Sequence, residues 1–435
     1  MITTFKHTLS KGLIGLILLS ILPLIAYSQA EAPMLVASQN YNGICYILDD
    51  DTHTATVTTN SNGYYGDIVI PETIIHDDET YTVTEIGMTA FSNNFSVRSV
   101  SIPNTVTLIN NNAFKSCIGL QAVNLPSNLK EIGQFAFNLC NSLKEVVMPN
   151  SLTTLGTQAF SECSQLQSIV FSNNLTSLGA TCFYSCSALT SVSLPESLKE
   201  LPLQTFMSCT KLEKVEFSKS IVSIGNNAFK NCSSLTEVTV PNALTTISQG
   251  AFSGCSALAT VTIGNGLQKV GSKAFENCSK LTTFYCYAVA VPATESDAFS
   301  GASVTSATLH VPEISVTNYK STTPWSDFKN ITEMDAPYYL FEVGAESNWA
   351  TKHSLRRIGN TGKYQGYYYL KDAFRILPYE EWEDGWGYNG TGKLIKGGDT
   401  NIPVPAAGFY QVTIDISALT YTLIEIKTVS ISGDF

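Results

Sequence analysis

The sequence predicts a mostly β protein: a long solenoid with a 23-residue period, a β-rich cap before it and a small C-terminal β-sandwich after it. Three observations carry this. Ala-Phe recurs at Ala90-Phe91, Ala113-Phe114, Ala136-Phe137, Ala159-Phe160, Ala228-Phe229, Ala251-Phe252 and Ala274-Phe275, with Phe183 and Phe206 on the missing beats. Eight cysteines from Cys117 to Cys278 keep the same period. At about Asp335-Ala336-Pro337 the composition shifts: residues 337–435 hold 17 of the 45 aromatics and three of the four tryptophans, and no cysteine.

Composition bounds the function. The chain has 435 residues, a formal net charge of −11 and 14% charged residues, below the roughly 25% typical of globular chains. With 44% hydrophobic residues and 29 glycines it is neither disordered nor collagen-like, and it is long enough to bury a large core. The acidic balance and the lack of a Lys/Arg cluster exclude a nucleic-acid partner, because phosphate binding needs clustered cations.

Residues 1–30 read as a secretory signal peptide. Lys6 and Lys11 precede an apolar run from Leu13 to Ile25, and Tyr27-Ser28-Gln29-Ala30 ends it with small residues at the cut. The run is short for a membrane span, which takes about 20 residues. No cysteine lies near the cut, so no lipid anchor is expected, and removal of the two lysines takes the formal charge to −13. Residues 31–83 form the β-rich cap: Tyr41 to Tyr81 alternates apolar and Thr-rich stretches around turns at Asn62-Gly63 and Tyr65-Gly66.

Residues 84–336 are assigned to the solenoid and its closing cap. Three residues after each ladder cysteine stands a leucine, Leu120 to Leu281, and three further on Val, Ile or Phe, from Val123 to Phe284. The segment L-x-x-V-x-(I/L)-P alternates apolar and polar residues and reads as one short strand per unit, ended by proline. The A-F-x-x-C segment is expected to be a helical or tight turn on the opposite side. An Ile, Leu or Val set, Ile86 to Val270, closes each unit. A unit this short cannot bury its own apolar face, so stacked units share the core.

The unit I-G-x-x-A-F-x-x-C-x-x-L-x-x-V-x-(I/L)-P resembles the BspA-type leucine-rich repeat, found in surface proteins of oral and gut bacteria and of some protozoa. The resemblance covers roughly residues 84 to 285, and Leu309-His310-Val311-Pro312, Tyr319-Lys320 and Trp325 to Ile331 resemble its closing cap. It implies an exported protein at the cell surface, and an adhesin that binds host or extracellular-matrix proteins.

An odd eleven cysteines cannot all pair within one chain. Metal sites need short local spacings, which only Cys182 and Cys186 approach, with three residues between them and no histidine near, so each ladder cysteine reads as a small buried hydrophobe whose S–H bonds backbone in the turn. Adjacent units bring Cα atoms within disulfide range, so spacing alone leaves bridges open. Cys45, Cys182 and Cys286 stand outside the ladder and read as packing residues.

In residues 337–435, Tyr338 to Val343, Gly366 to Leu370, Phe374 to Leu377, Gly408 to Ile416 and Thr420 to Lys427 read as strands of a sandwich. The runs Phe374-Arg375-Ile376, Trp386-Gly387-Tyr388, Gly397 to Val404, Ala407 to Tyr410 and Leu419 to Leu423 resemble the SusE/SusF outer-membrane starch-binding domains of Bacteroides. That implies a polysaccharide or oligosaccharide ligand, starch-like glucan foremost, and an outer-membrane-associated, surface or secreted protein. The expected binding residues are Trp349, Trp382, Trp386, Tyr379, Tyr388 and Lys396. Sugar rings stack apolar C–H faces on Trp or Tyr while their hydroxyls need polar partners. The tryptophans lie in turn-like, polar surroundings, with Tyr379 and Tyr388 in the same loop.

No catalytic motif, metal motif or cofactor loop is present. Glu380, Glu381, Glu383 and Asp384 lie in one loop, a poor support for the fixed carboxylate pair that glycoside hydrolysis requires. A non-enzymatic protein without cofactor or metal is expected. Asp49-Asp50-Asp51 and Asp77-Asp78-Glu79 lack calcium-loop spacing and read as turn caps.

Overall fold

The computed structural model describes residues 39–288, 290–312, 315–334, 339–344, 352–357, 363–370, 373–377, 386–388, 393–396, 401–415 and 418–425. The proposed signal peptide, Trp349, Tyr379 and Trp382 lie outside the described residues.

The cap consists of β1 (Gln39–Tyr41), β2 (Ile44–Asp49), β3 (Thr54–Thr58), β4 (Gly66–Val69), β5 (Thr73–His76) and β6 (Glu79–Ile86). β1, β2 and β3 form an antiparallel meander, and β3 then pairs with β6 in parallel. From β6 the sheet continues directly into the solenoid, through Leu108–Ile109, Glu131–Ile132, Thr154–Leu155 and Ser177–Leu178. These two-residue strands carry the closing Ile/Leu position of each unit. Sequence periodicity predicted one strand per coil; the structure has two, because a two-residue strand is too short to show alternation. The second, longer strand holds the L-x-x-V-x segment. It begins with β4, β7 (Val97–Ser101) and Ala122–Asn124, and later coils repeat it in parallel register, as in Glu145–Val147 with Ser168–Val170.

The A-F-x-x-C side is turn throughout, not helix. Two residues per coil, four apart, take left-handed backbone: Asn112 and Ser116, Phe135 and Leu139, Asn227 and Asn231, and so on, with Gly250 and Gly254 in a single coil. This conformation closes the coil sharply enough for alternate turn amides to reach the next coil: Phe91 donates to the Ala113 carbonyl at 2.7 Å, and Phe114 to that of Ala136 at 2.7 Å.

The core is a set of ladders. Ten phenylalanines from Phe91 to Phe299 stack with centroids 4.8 to 5.7 Å apart and planes within 13° of parallel. Both ends are closed by an aromatic residue with a polar handle. Tyr64 lies 4.4 Å from Phe91, and its hydroxyl donates to the Thr58 carbonyl at 2.6 Å. Trp325 packs edge-on against Phe299 at 5.2 Å, and its indole N–H donates to Thr294 Oγ1 at 2.9 Å. The short helix α1 (Val316–Ser321) and the strand Asn330–Glu333 complete this end, burying Tyr319 and Trp325.

Among the described residues the C-terminal unit is an antiparallel sheet of nine strands around a core that includes Leu355, Tyr364, Phe374, Ile376, Leu394 and Val412. The five expected strands occur, with four more at Lys352–Arg357, Trp386–Tyr388, Leu394–Lys396 and Ile402–Pro403. Its two end strands meet: Lys393 bridges Thr420, and the Leu394 amide donates to the Leu419 carbonyl at 2.8 Å. The layers of the sandwich are therefore parts of one sheet folded back on itself.

Candidate binding surface

The longer strands bury their central residue and turn its neighbours outward, as in Glu145-Val146-Val147, Ser191-Val192-Ser193 and Lys214-Val215-Glu216. The outward residues form ladders about 4.8 Å apart. Short hydroxylic residues such as Ser191, Ser193, Thr260 and Thr262 share this face with charged ones such as Glu145 and Glu237, which leaves a mixed polar, hydrogen-bonding surface. Three features stand out from it. Val147 and Val170 are in register and remain 63% and 54% exposed. Lys214 Nζ lies 2.6 Å from Glu216 Oε1; both are more than half exposed, so the pair adds little stability. Tyr285 and His310 stack at 4.6 Å, and His310 Nδ1 lies 3.1 Å from Thr332 Oγ1. Sequence reasoning missed the last pair because 25 residues separate the two, not 23, so only strand register brings them together.

Two open grooves flank the coils. One, of about 380 Å³, is lined on the turn side by Leu139, Asn141, Glu162, Ser164 and Ser187 among others. The other, of about 470 Å³, is lined by residues including Thr176, Ser177, Ser197, Lys199 and Glu200. Among the described residues no three or more His, Cys, Asp or Glu side chains converge as a metal site.

The ladder cysteines take the backbone-bonding role. Cys117 Sγ donates to the Phe91 carbonyl at 2.9 Å, and Cys140, Cys163, Cys186, Cys209 and Cys232 repeat the bond one coil on at 3.2 Å. All eleven thiols are free and buried. Burial pushes the thiols of Cys117, Cys182, Cys209 and Cys278 from the ordinary 9.0 up to about 12. They stay neutral and unreactive at physiological pH. Cys182 occupies the Ala position of its coil, and Cys286 Sγ lies 3.3 Å from the Tyr319 hydroxyl. In the cap, Asp49 Oδ1 accepts the amides of Asp51 at 3.0 Å and Thr52 at 3.1 Å, the expected turn cap. Bonds from Thr52 hold its carboxyl below the ordinary value.

Of the six expected glycan contacts, three fall among the described residues. Trp386 and Tyr388 lie in a strand rather than a loop, a correction to the sequence reading. Backbone register sets Trp386 opposite Lys396 and Tyr388 opposite Leu394, which is buried. The flanking glycines and acids had suggested a loop, but pairing with Ala373–Leu377 and Leu394–Lys396 draws the segment into the sheet.

The profile described as "BspA type Leucine rich repeat region (6 copies)" matches residues 84–213 and 199–323, more than half of the chain. The chain belongs to the BspA-type leucine-rich repeat family. Among solved structures, it is similar to the leucine-rich repeat protein of T. pallidum, at 31% identity over 46% of this chain and 91% of that one, with a TM-score of 0.42. It is similar to a leucine-rich repeat protein from Bacteroides ovatus, at 21% identity over 68% and 99% of the two chains, TM-score 0.37. It is also similar to the pneumococcal vaccine antigen PcpA, at 19% identity over 68% and 98%, TM-score 0.33. No curated protein matches this BspA-type chain.

Proposed function

We propose that this BspA-type protein is an exported, non-enzymatic binding protein of the cell surface. In this reading residues 1–30 are the leader, the capped solenoid over 31–336 offers a protein-contact surface, and residues 337–435 bind a starch-like glucan. The observation that carries the protein-contact part is the solenoid's outward face, a stack of strand ladders that mixes Ser and Thr with charged side chains and leaves Val147 and Val170 exposed. A stacked repeat surface of this kind suits extended protein contacts. The glucan part is supported by three tryptophans within 99 residues and by the strand pair that aligns Trp386 with Lys396.

Titration with starch, pullulan, dextran and xylan tests the glucan part. Binding to at least one, lost when Trp349, Trp382 and Trp386 are changed to Ala, is the expected result. No binding to any of the four sinks it. The adhesin reading, in which the solenoid binds host or matrix proteins, is favoured by the same outward face. Capture of matrix proteins by the triple Trp variant, which lacks the glycan contacts, would support it; failure of the full chain to capture any would remove it.

A further inference from the structure

The solenoid's two sheets begin differently. The shorter-strand sheet is closed off by β6, β3, β2 and β1, whereas the longer-strand sheet starts at β4, which pairs only with β7 among the described residues. We propose that this open edge of β4 docks an extended basic segment of another polypeptide as an added strand. The inference rests on the protein-contact part of the proposed function and gives it a place and a chemistry.

The backbone supplies the first argument. The amides of Gly66 and Ile70 turn inward, to the carbonyls of Ser96 at 2.9 Å and Ser101 at 3.0 Å. By strand alternation those of Asp67 and Val69 point away from β7, toward the open edge. Val69 is 72% exposed. No Lys or Pro lies within the strand and no further strand pairs with its outer side among the described residues, so the protections it has are its shortness, the charge of Asp67 and a register irregularity between Gly66 and Asp67. Four residues limit the guest to a short segment.

A ladder comparison within the chain supplies the second. The position after the ladder cysteine is Asn141, Ser164, Ser187, Thr210, Ser233, Ser256 and Ser279 in the later coils. In the first two coils it is Phe95 and Ile118, 56% and 45% exposed. Tyr65, 75% exposed, extends this row beside Phe95, because Tyr64 and Gly66 bond to Asn94 and Ser96 across the coils. Only the coils nearest the open edge carry apolar residues on this ridge.

Charge identifies the guest. Residues 39–83 contain eight carboxylates and no Lys or Arg. A second copy would set two such caps edge to edge, and an acidic partner would meet the same repulsion; a basic segment is complementary. Asp67 is held by Arg98 at 3.1 Å, but both are more than half exposed, so a guest cation can share the carboxylate. Alternate guest residues would cover half-buried Ile68 and stand beside Asp67, so the guest alternates apolar and basic residues.

The test uses the mature full-length chain and two labelled probes, an alternating Lys-Val octapeptide and its Glu-Val counterpart, read by fluorescence anisotropy. Binding of the Lys-Val peptide alone, weakened by salt, is expected. Val69→Pro removes an outward amide without touching the bonds to β7 and should weaken binding about tenfold or more. Asp67→Lys should do the same, and serves if Val69→Pro fails to fold. Equal binding of both peptides, binding by neither, or full binding by both variants overturns the proposal. So does a dimer in sedimentation that Val69→Pro dissolves, since the occupant would then be a second copy. Matrix-protein capture that survives in both variants would leave the protein-contact reading standing while this edge falls.

Discussion

A single residue per coil can be judged against its equivalents in the neighbouring coils. At the left-handed turn positions most coils tolerate Asn, Gln, Ser or Thr; at Gly250, φ +63°, a Cβ would lie 2.4 Å from Asn227 Oδ1, so the Asn227 side chain would have to move aside. Gly250→Ala should cost about 1–2 kcal/mol through the left-handed backbone, measured by urea denaturation. The cysteines are a second case. Cys209→Ala removes the donor to Phe183 and leaves a small void, a loss of about 1–2 kcal/mol. Cys209→Ser keeps a donor and should cost less in the same assay. The ladder period of these residues was legible in the sequence, and so was their bonding to backbone. What was not legible is that the turn needs two left-handed residues, because Phe135, Leu139 and Thr181 are not residue types that announce that conformation.

At the scale of the element, the phenylalanine ladder links coils that are otherwise joined by strands of two to five residues. Each inner ring touches a ring on both sides, so removing one takes a stacking contact from two partners at once and opens a void between them. Phe206→Ala should cost about 3–5 kcal/mol. Because each coil contacts only its neighbours, the damage should appear first as lost hydrogen-exchange protection around Phe183 and Phe229, not as uniform loosening. Equal loss of protection along the whole solenoid would show that the coils do not act as nearest-neighbour units. The longer strand and the proline stops were readable from alternation. The shorter strand was not, since two residues carry no period. Trp386-Gly387-Tyr388 was misread as loop for a related reason: three residues beside glycines and acids have no local strand signal, and their conformation is set by partners distant in sequence.

For the whole molecule, the free thiols make stability depend on alkaline pH. In the folded chain burial holds Cys117, Cys182, Cys209 and Cys278 near 12, against an ordinary 9.0. A raised acid is neutral when folded and ionises first when unfolded, so the stabilising effect is complete below pH 9 and is lost as pH rises toward 12. The urea midpoint should therefore be flat from pH 7 to 8.5 and fall steeply above 9, and a midpoint unchanged at pH 11 would contradict this. By itself the sequence determined the repeat, its family, the buried cysteine ladder and the mostly β class, because stacking equivalent residues every 23 positions writes the core directly into the chain. Tertiary structure alone decided what lies at the ends and between the beats: Tyr64 and Trp325 closing the aromatic column, Tyr285 meeting His310 out of phase, the C-terminal sheet meeting itself at Lys393 and Thr420, and β4 left as an edge. These depend on contacts that do not repeat, so no period in the sequence records them.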